Sequence, residues 1–239
     1  MRTMIKYLCL MVLIVLVMPM AVEAYDIVVF EDYDKTYFMD GDVLRVEKDL
    51  TLRNVGNNPI IPGDIRFRMY EVLGGETVPS EIDELQATDG SRELESRVES
   101  YDDYSSIIVS VYNPLLPGYD YQMTVSYEID FNPTGILFHE MIFPIEETTT
   151  PIRDSTTRLV MPNHYKVTFA PDAEISSDSM RQTIEWDGDS DLMLEYTRLP
   201  LPRMPFRMVS VFWLIILAIL GVLFIYLNSR RPDKRKRRK

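Results

Sequence analysis

The sequence predicts an all-β protein, with one or two antiparallel β-sandwich modules followed by a single C-terminal transmembrane helix. Three observations lead to this fold class. Apolar and polar residues alternate in several short runs, which is the pattern of half-buried strands. Clusters of Asn, Gly and Pro separate the runs, as turns separate the strands of a sandwich. An uncharged apolar stretch, Met208–Leu227, lies near the C-terminus and is long enough to cross a bilayer.

Residues 1–24 are predicted to be a signal peptide. Arg2 and Lys6 precede the apolar run Tyr7–Met18, and Val22 and Ala24 suit a cleavage site directly after residue 24. A run of this length is short for a membrane span, although an uncleaved anchor is the alternative. The mature body is expected to form no disulfide, because the single cysteine of the chain lies in this segment.

The first β-sandwich module is predicted over residues 25–132. Its clearest strand is "YDYQMTVSYEID", Tyr119–Asp130, which places aromatic and aliphatic residues on one face. Its tyrosines at 119, 121 and 127 are expected in the core, and a recognition surface is the alternative. Similar runs cover Leu44–Leu52, Ile65–Met69 and Ile107–Val111, with Lys48 as an interruption of the first. The acidic stretch 74–106 is predicted to be a long loop.

A second, smaller sandwich module is predicted over residues 133–199. The boundary is placed at "FNPTG", Phe131–Gly135, and later runs cover Tyr165–Phe169 and Leu192–Tyr196. A single mixed sandwich is the alternative. Prolines at 200, 202 and 205 predict a stiff polyproline II spacer over residues 200–207; turns packed against the body are the other possibility.

The apolar stretch 208–227 contains no charge and is predicted to span the lipid bilayer. A helix of this length is about 30 Å long, which matches the hydrocarbon thickness. Trp213 and Tyr226 are placed at its two interfaces with water. Residues 228–239 form a basic tail, which predicts a cytoplasmic C-terminus, an extracellular or lumenal body, and contact with anionic lipid headgroups. The basic residues assigned to the membrane interface are Arg230, Arg231, Lys234, Arg235, Lys236, Arg237, Arg238 and Lys239.

Two pairs of segments carry a resemblance to known families. "DGDVLRVEKDLTLRNVGNNPI" and "VYNPLLPGYDYQMTVSYEID" resemble the Ig/Fn3-like and CARDB-like modules of archaeal and bacterial surface proteins. "TTRLVMPNHYKVTFAP" and "IEWDGDSDLMLEYTRLPLP" are similar to the paired β-modules of ribophorin I type ectodomains, which are also single-pass. The first resemblance covers about a hundred residues and the second about seventy. Both imply exported β-modules, and neither transfers a catalytic residue.

Acidic turns suggest a calcium site, but the spacing fits poorly. Asp187, Asp189 and Asp191 alternate like the start of an EF-hand loop, yet Leu192 and Arg198 occupy the positions that require Gly and Glu. A second acidic cluster comprises the aspartates at 32, 34, 40 and 42. Hairpin turns and solubility explain both clusters better, so no metal site is assigned.

The sequence predicts neither an enzyme nor a nucleic-acid binder. His139 and His164 are its two histidines, and no zinc-protease, nucleophile-elbow or phosphate-loop motif is present. No cofactor is expected. The basic tail has no aromatic residues to read bases, so nucleic acid is not an expected partner.

These observations predict a single-pass, membrane-anchored exported β-sandwich protein that acts without catalysis. Its expected partners are the lipid bilayer and an exported or envelope protein, through protein–protein or cell-envelope contact. The alternative is an accessory, non-catalytic subunit of a membrane complex, of the glycosylation or export type.

Overall fold

The computed structural model describes residues 27–41, 43–73, 75–131, 133–188 and 192–229. The predicted signal peptide and the basic residues 230–239 therefore lie outside the described residues. Within the described ranges there are fifteen strands and one helix, in the chain order β1 Val28–Asp40, β2 Val43–Asn54, β3 Gly63–Leu73, β4 Glu76–Pro79, β5 Ile82–Thr88, β6 Ser96–Ser100, β7 Ser105–Val111, β8 Asp120–Asp130, β9 His139–Ile142, β10 Ile145–Thr148, β11 Ile152–Pro162, β12 Lys166–Phe169, β13 Glu174–Ser177, β14 Arg181–Asp187, β15 Met193–Thr197 and α1 Met208–Ser229.

The prediction of an all-β body followed by one apolar helix is confirmed. The strands form three sheets. The largest has seven strands in the order β13-β14-β11-β1-β2-β8-β5. The second has the order β10-β3-β7-β6, with β4 also paired to β3, and the third has the order β12-β15-β9. Among the described strands, β1 and β11 run parallel, and the other pairs are antiparallel.

The core lies where the seven-stranded sheet meets the five-stranded sheet. Phe30 of β1 and Phe67 of β3 stack across this contact with ring centres 6.0 Å apart. The predicted alternation of β8 is confirmed, since Met123, Val125, Tyr127 and Ile129 are all buried in the core. Tyr119 precedes that strand and is 66% exposed, so the prediction that all three tyrosines lie in the core was wrong for this residue.

Strand β1 is the longest strand of the body, and the sequence analysis did not identify it. Its buried positions include Tyr33, Tyr37 and Met39, with a β-bulge between Phe30 and Asp32 that shifts the register. Acidic residues occupy positions between the buried ones. Their spacing suggested an acidic cluster, whereas they form the more solvent-facing side of a half-buried strand.

The stretch 74–106 is not the loop that the sequence predicted. It contains β4, β5, β6 and the beginning of β7. Strand β5 is an edge strand of the seven-stranded sheet and β6 an edge strand of the five-stranded sheet. Charged side chains are common on edge strands because they discourage pairing with other chains. In β5 a register shift between Asp83 and Gln86, with Glu84 at a positive φ of 50°, also breaks the alternation.

Strand pairing crosses the boundary predicted at residues 132 and 133. Strand β11 pairs with β1 in the seven-stranded sheet, and β10 pairs with β3 in the five-stranded sheet. Both sheets thus combine strands from before and after residue 132. This topology favours the single mixed unit that was the alternative in the sequence analysis.

A buried ionic cluster joins the two larger sheets. Lys35 and Lys48 lie directly opposite each other on β1 and β2, and both side chains point into the core. Glu146 of β10 enters from the other sheet, and its Oε2 lies 2.6 Å from the Nζ of Lys35. Its Oε1 accepts hydrogen bonds from the Nζ of Lys48 and, at 2.6 Å, from the hydroxyl of Tyr33. One carboxylate therefore faces two ammonium groups.

The charges of this cluster depend on one another. Burial alone raises the pKa of Glu146, but Lys35 and Lys48 outweigh it and hold that pKa at about 2. Burial lowers the pKa of Lys48 to about 8, although Glu146 opposes this change. The Nζ of Lys48 also lies 4.6 Å from the ring centre of Phe67 and 4.9 Å from that of Tyr127, where cation–π attraction adds to the pairing.

We expect Glu146→Gln to destabilise the protein by about 3–5 kcal/mol, because two buried ammonium groups lose their counter-charge. Urea unfolding of the detergent-solubilised chain measures this loss. Glu147→Gln, at the exposed neighbouring carboxylate, is the matched control. A combined Lys35→Met, Lys48→Met and Glu146→Leu variant should recover most of the loss, because apolar replacement of a whole buried ion cluster is often neutral. A combined variant as unstable as Glu146→Gln would contradict this account.

Acid should remove the contribution of Glu146 to the free energy of unfolding over a defined range of pH. Its pKa is lowered from 4.5 to about 2 on folding, so its stabilising effect is complete above the unfolded value and is lost as the pH falls through the folded value. The difference in unfolding free energy between the native chain and Glu146→Gln should therefore shrink between pH 4.5 and pH 2. Urea unfolding of both proteins at pH 6 and pH 2.5 tests this, and a constant difference would contradict it.

Candidate functional site

The beginning of α1 is bound to the body by a buried carboxylate. Glu195 of β15 is 1% exposed, and its Oε1 and Oε2 accept hydrogen bonds from the backbone N–H groups of Met208 and Val209, each at 2.9 Å. The hydroxyl of Thr168 donates to the same carboxylate at 2.7 Å. The first N–H groups of a helix have no partner within the helix, and an acceptor with negative charge suits the positive end of its dipole. Glu195 therefore fixes where α1 begins.

The segment before α1, which contains the prolines at 200, 202 and 205, also packs on the body. It therefore matches the alternative of packed turns and not the stiff spacer. The N–H of Met204 donates to the carbonyl of Thr168 at 2.7 Å, and the Arg203 guanidinium donates to the carbonyl of Ala173 at 3.1 Å. Arg207 forms an ion pair with Glu140 of β9. These contacts leave little freedom between the last strand and the helix.

The helix leaves the body at a definable end. Its first residues contact Glu195, whereas the ring of Phe212 contacts that of Phe138, with centres 6.2 Å apart. Phe138 directly precedes β9, and the carbonyl of the residue before it, Leu137, accepts a hydrogen bond from the Thr197 hydroxyl at 2.6 Å. The helix thus runs in the direction in which β15 ends. We call this the helix end of the body. The side chain of Gln182 on β14 donates a hydrogen bond to the carbonyl of Tyr165, which precedes β12. Gln182 is paired with the end of β11, and β11 runs parallel to β1, so β1 ends and β2 begins at this end of the body.

At the opposite end, a buried asparagine organises two loops. Asn54, the last residue of β2, is 0% exposed. Its Nδ2 donates to the carbonyls of Asn58 and Leu115, each at 2.8 Å, and its Oδ1 accepts the N–H of Gly56 at 2.9 Å. Ile60 and Leu115 complete the link through a backbone bridge. The loop after β2 and the loop before β8 are therefore held as one unit.

This unit displays apolar and aromatic side chains to solvent. We call it the tip, and its exposed members are Ile27, Val55, Ile61, Tyr112, Leu116 and Tyr119. Their exposed fractions range from 40% at Val55 to 66% at Tyr119. Exposed aliphatic and aromatic groups on an ordered loop are typical of surfaces that bind another protein.

A cleft of about 570 Å³ lies beside the ionic cluster, with Tyr33, Lys35 and Glu146 among its lining residues. Threonine and serine hydroxyls from Thr148 and Ser155 also line it. Both oxygens of Glu146 are already engaged by the two lysines and the tyrosine. A carboxylate with a pKa of about 2 is a weak proton acceptor, so the geometry favours a role in holding the sheets together.

The residues singled out in the sequence lie in several places. Trp213 and Tyr226 are both on α1 and are 53% and 47% exposed, which leaves them available to an interface. The basic residues 230–239 lie outside the described residues. Asp187 ends β14, whereas Asp189 and Asp191 are not described. Across the described ranges, no group of three or more His, Cys, Asp or Glu side chains is arranged to hold a metal ion.

Sequence reasoning missed Asn54, Glu146 and Glu195. Asn54 lies in a turn motif that any sandwich could contain. Glu195 stands between Leu194 and Tyr196 and looks like an ordinary solvent-facing position of a strand. A usable signal existed only for Lys48, which interrupts an otherwise regular apolar face.

The chain is similar in sequence to an archaeal protein and distantly similar in structure to several solved proteins. No protein-family model matches the chain. An uncharacterised protein of Methanocaldococcus jannaschii is 29% identical over 138 residues, which are 58% of this chain and 98% of that protein. An M1 zinc metallopeptidase of Deinococcus radiodurans aligns with a TM-score of 0.42 and 13% identity, over 71% of this chain and 42% of its own length.

A nutrient-binding protein of Legionella pneumophila aligns with a TM-score of 0.49 and 8% identity, over 72% of this chain and 67% of its own length. These similarities to solved structures are too low to support an argument about function.

We expect Glu195→Ala to loosen the start of α1, because two backbone donors lose their acceptor. A lost N-cap costs about 1–2 kcal/mol, so amide hydrogen exchange at Met208 and Val209 should accelerate about tenfold in detergent. Glu185→Ala, which removes a more exposed carboxylate from β14, is the control and should leave this exchange unchanged. Equal exchange in the native chain and Glu195→Ala would show that the carboxylate does not hold the helix.

Proposed function

We propose that this is a single-pass, membrane-anchored exported β-sandwich protein that acts without catalysis, in protein–protein or cell-envelope contact. The observation that supports this best is that the exposed apolar helix and the exposed apolar loops lie at opposite ends of the body. An exposed apolar helix leaves the body at the helix end, and exposed aromatic and aliphatic loops form the tip at the other. This arrangement suits a protein that is anchored at one end and binds at the other.

The anchor is supported by the character of α1. Residues Met208–Leu227 are long and apolar enough to cross a membrane, and the most apolar part of this helix is not buried against the body. Contact between such an apolar surface and water is unfavourable. Lipid can cover the surface without loss of hydrogen bonds, because the backbone N–H and C=O groups of a helix bond to each other. The same length in a soluble core would be buried.

The orientation rests on charge. Eight of the 25 basic residues of the chain fall within residues 230–239, directly after α1. Basic flanks stay in the cytoplasm, which places the body outside and gives the tail access to anionic headgroups. The N-terminal segment supports the same orientation through its signal-peptide pattern.

The tip is the surface that we assign to a protein partner. Tyrosine is enriched where proteins bind one another, since it supplies a large contact area with little loss of conformational freedom. Asn54 bonds to backbone groups of both tip loops, so the backbone of these loops is already held in place before binding, which lowers the entropic cost of binding. An accessory subunit of a membrane complex would use the same surface toward a fixed membrane partner.

Crosslinking on intact cells tests this proposal. In a Cys9→Ser background, cysteine replaces Tyr119 at the tip or, as a matched control, Val72, which is 44% exposed near the far end of β3. A membrane-impermeant, cysteine-reactive photo-crosslinker should label both positions. Light should then give a reproducible protein adduct from residue 119 only, and Ile61→Asp at the tip should abolish it.

Other outcomes would contradict the proposal. Failure to label either cysteine would show that the body is not outside. Labelling without an adduct at residue 119, or an adduct from residue 72 instead, would remove the tip as the binding surface.

A further inference from the structure

The helix end of the body carries a sharp turn with two exposed apolar side chains. Gly135 has a φ of 112°, and a Cβ at this position would lie 1.9 Å from the carbonyl oxygen of Phe138, so only glycine allows the turn to close. Ile136 and Leu137, at its corner, are 80% and 44% exposed. A backbone bridge between Thr134 and Glu140 closes the base of the turn.

The turn is held in place by contacts with β15 and α1. The carbonyl of Leu137 accepts the hydroxyl of Thr197 at 2.6 Å. Phe138 is 6% exposed, and its ring meets that of Phe212 on α1. The two contacts hold the corner of the turn beside the helix.

The position of that contact along α1 sets the level of the turn in a bilayer. Phe212 lies four residues after Met208, which is about 6 Å along the helix axis. If the uncharged stretch 208–227 fills a hydrocarbon layer of about 30 Å, Phe212 is already below its surface. Phe138, whose ring contacts that of Phe212, then lies close to the same depth, and Ile136 and Leu137 directly precede it in the turn.

The surroundings of the turn suit the headgroup region. Tyr165, Lys166 and Arg198 lie at the same end of the body, because Lys166 is paired with Thr197 in the sheet. The Arg198 guanidinium lies 5.4 Å from the ring centre of Tyr165. Tyrosine, lysine and arginine are the residues that place an apolar body toward lipid and a polar group toward the headgroups.

We propose that the Gly135–Phe138 turn inserts Ile136 and Leu137 into the outer leaflet, as a second membrane contact beside α1. This inference rests on the proposed membrane anchor. The occupant of the apolar corner is lipid, because Phe138 joins the corner to the helix surface that lipid covers. Two contacts, one helix and one turn, prevent the body from swinging about its anchor.

Depth-dependent fluorescence quenching tests the inference on the full chain. In the Cys9→Ser background, single cysteines replace Ile136, Leu220 on α1, or Ile61 at the tip, and each carries an environment-sensitive fluorophore. The proteins are reconstituted in phosphatidylcholine–phosphatidylglycerol vesicles. Nitroxides on the lipid chains report contact with hydrocarbon, and aqueous iodide reports contact with water. Ile136 and Leu220 are 80% and 54% exposed, so replacement should not disturb the fold.

We expect probes at positions 136 and 220 to lose most of their emission with the lipid nitroxides, and a probe at position 61 to lose it only with iodide. Lipid quenching at 220 together with iodide quenching at 136 would overturn the inserted turn and leave the anchor standing. No lipid quenching at 220 would overturn the anchor and the turn together. A probe at 136 that is protected from both quenchers would show that protein, not lipid, covers the turn.

Discussion

The carboxylate of Glu195 joins two parts of the molecule with opposite solvent requirements. On one side is a β body that buries its apolar residues, and on the other is a helix that exposes them. The two oxygens of Glu195 accept the first two N–H groups of α1, so the helix begins where a buried strand already lies. Because Arg207 pairs with Glu140 one strand away, both the position and the direction of the helix are fixed. Without this junction, the body could rotate relative to α1, and the tip would have no fixed position relative to the helix.

A second buried carboxylate determines how the two larger sheets meet. Lys35 and Lys48 oppose each other on adjacent strands, and like charges in that position repel. Glu146 neutralises this repulsion only when β10 lies in one particular place. A wholly apolar contact would tolerate several placements of one sheet on the other. The cluster therefore favours a single arrangement, and specificity of this kind is one of the recognised reasons for retaining buried ionic groups.

The sequence was sufficient where one physical effect dominated. Strand β8 has an uninterrupted alternation, and its buried residues were predicted correctly. Strand β1 was missed because its acidic residues and its bulge hide the pattern, and β5 was missed because an edge strand needs little burial. Glu146 and Glu195 could not be found at all, because what makes each of them special is a partner from another structural element, outside the local alternation of its own strand. The distance in sequence between Lys48 and Glu146 is 98 residues, and no local pattern reports such a contact.

The two ends also differ from the surface between them. Parts of that surface carry charged side chains that already pair with each other: Arg158 pairs with Glu185, and Arg97 pairs with Glu99. A partner that bound there would have to displace these pairs, and exposed ion pairs return little free energy when they are exchanged. The tip and the helix end instead expose Tyr119 and Ile136, whose burial releases water without breaking an existing contact. The proposed contacts, one at the tip and one at the helix end, are therefore placed where binding would displace no ion pair, and Glu195 fixes the position of the helix relative to the body.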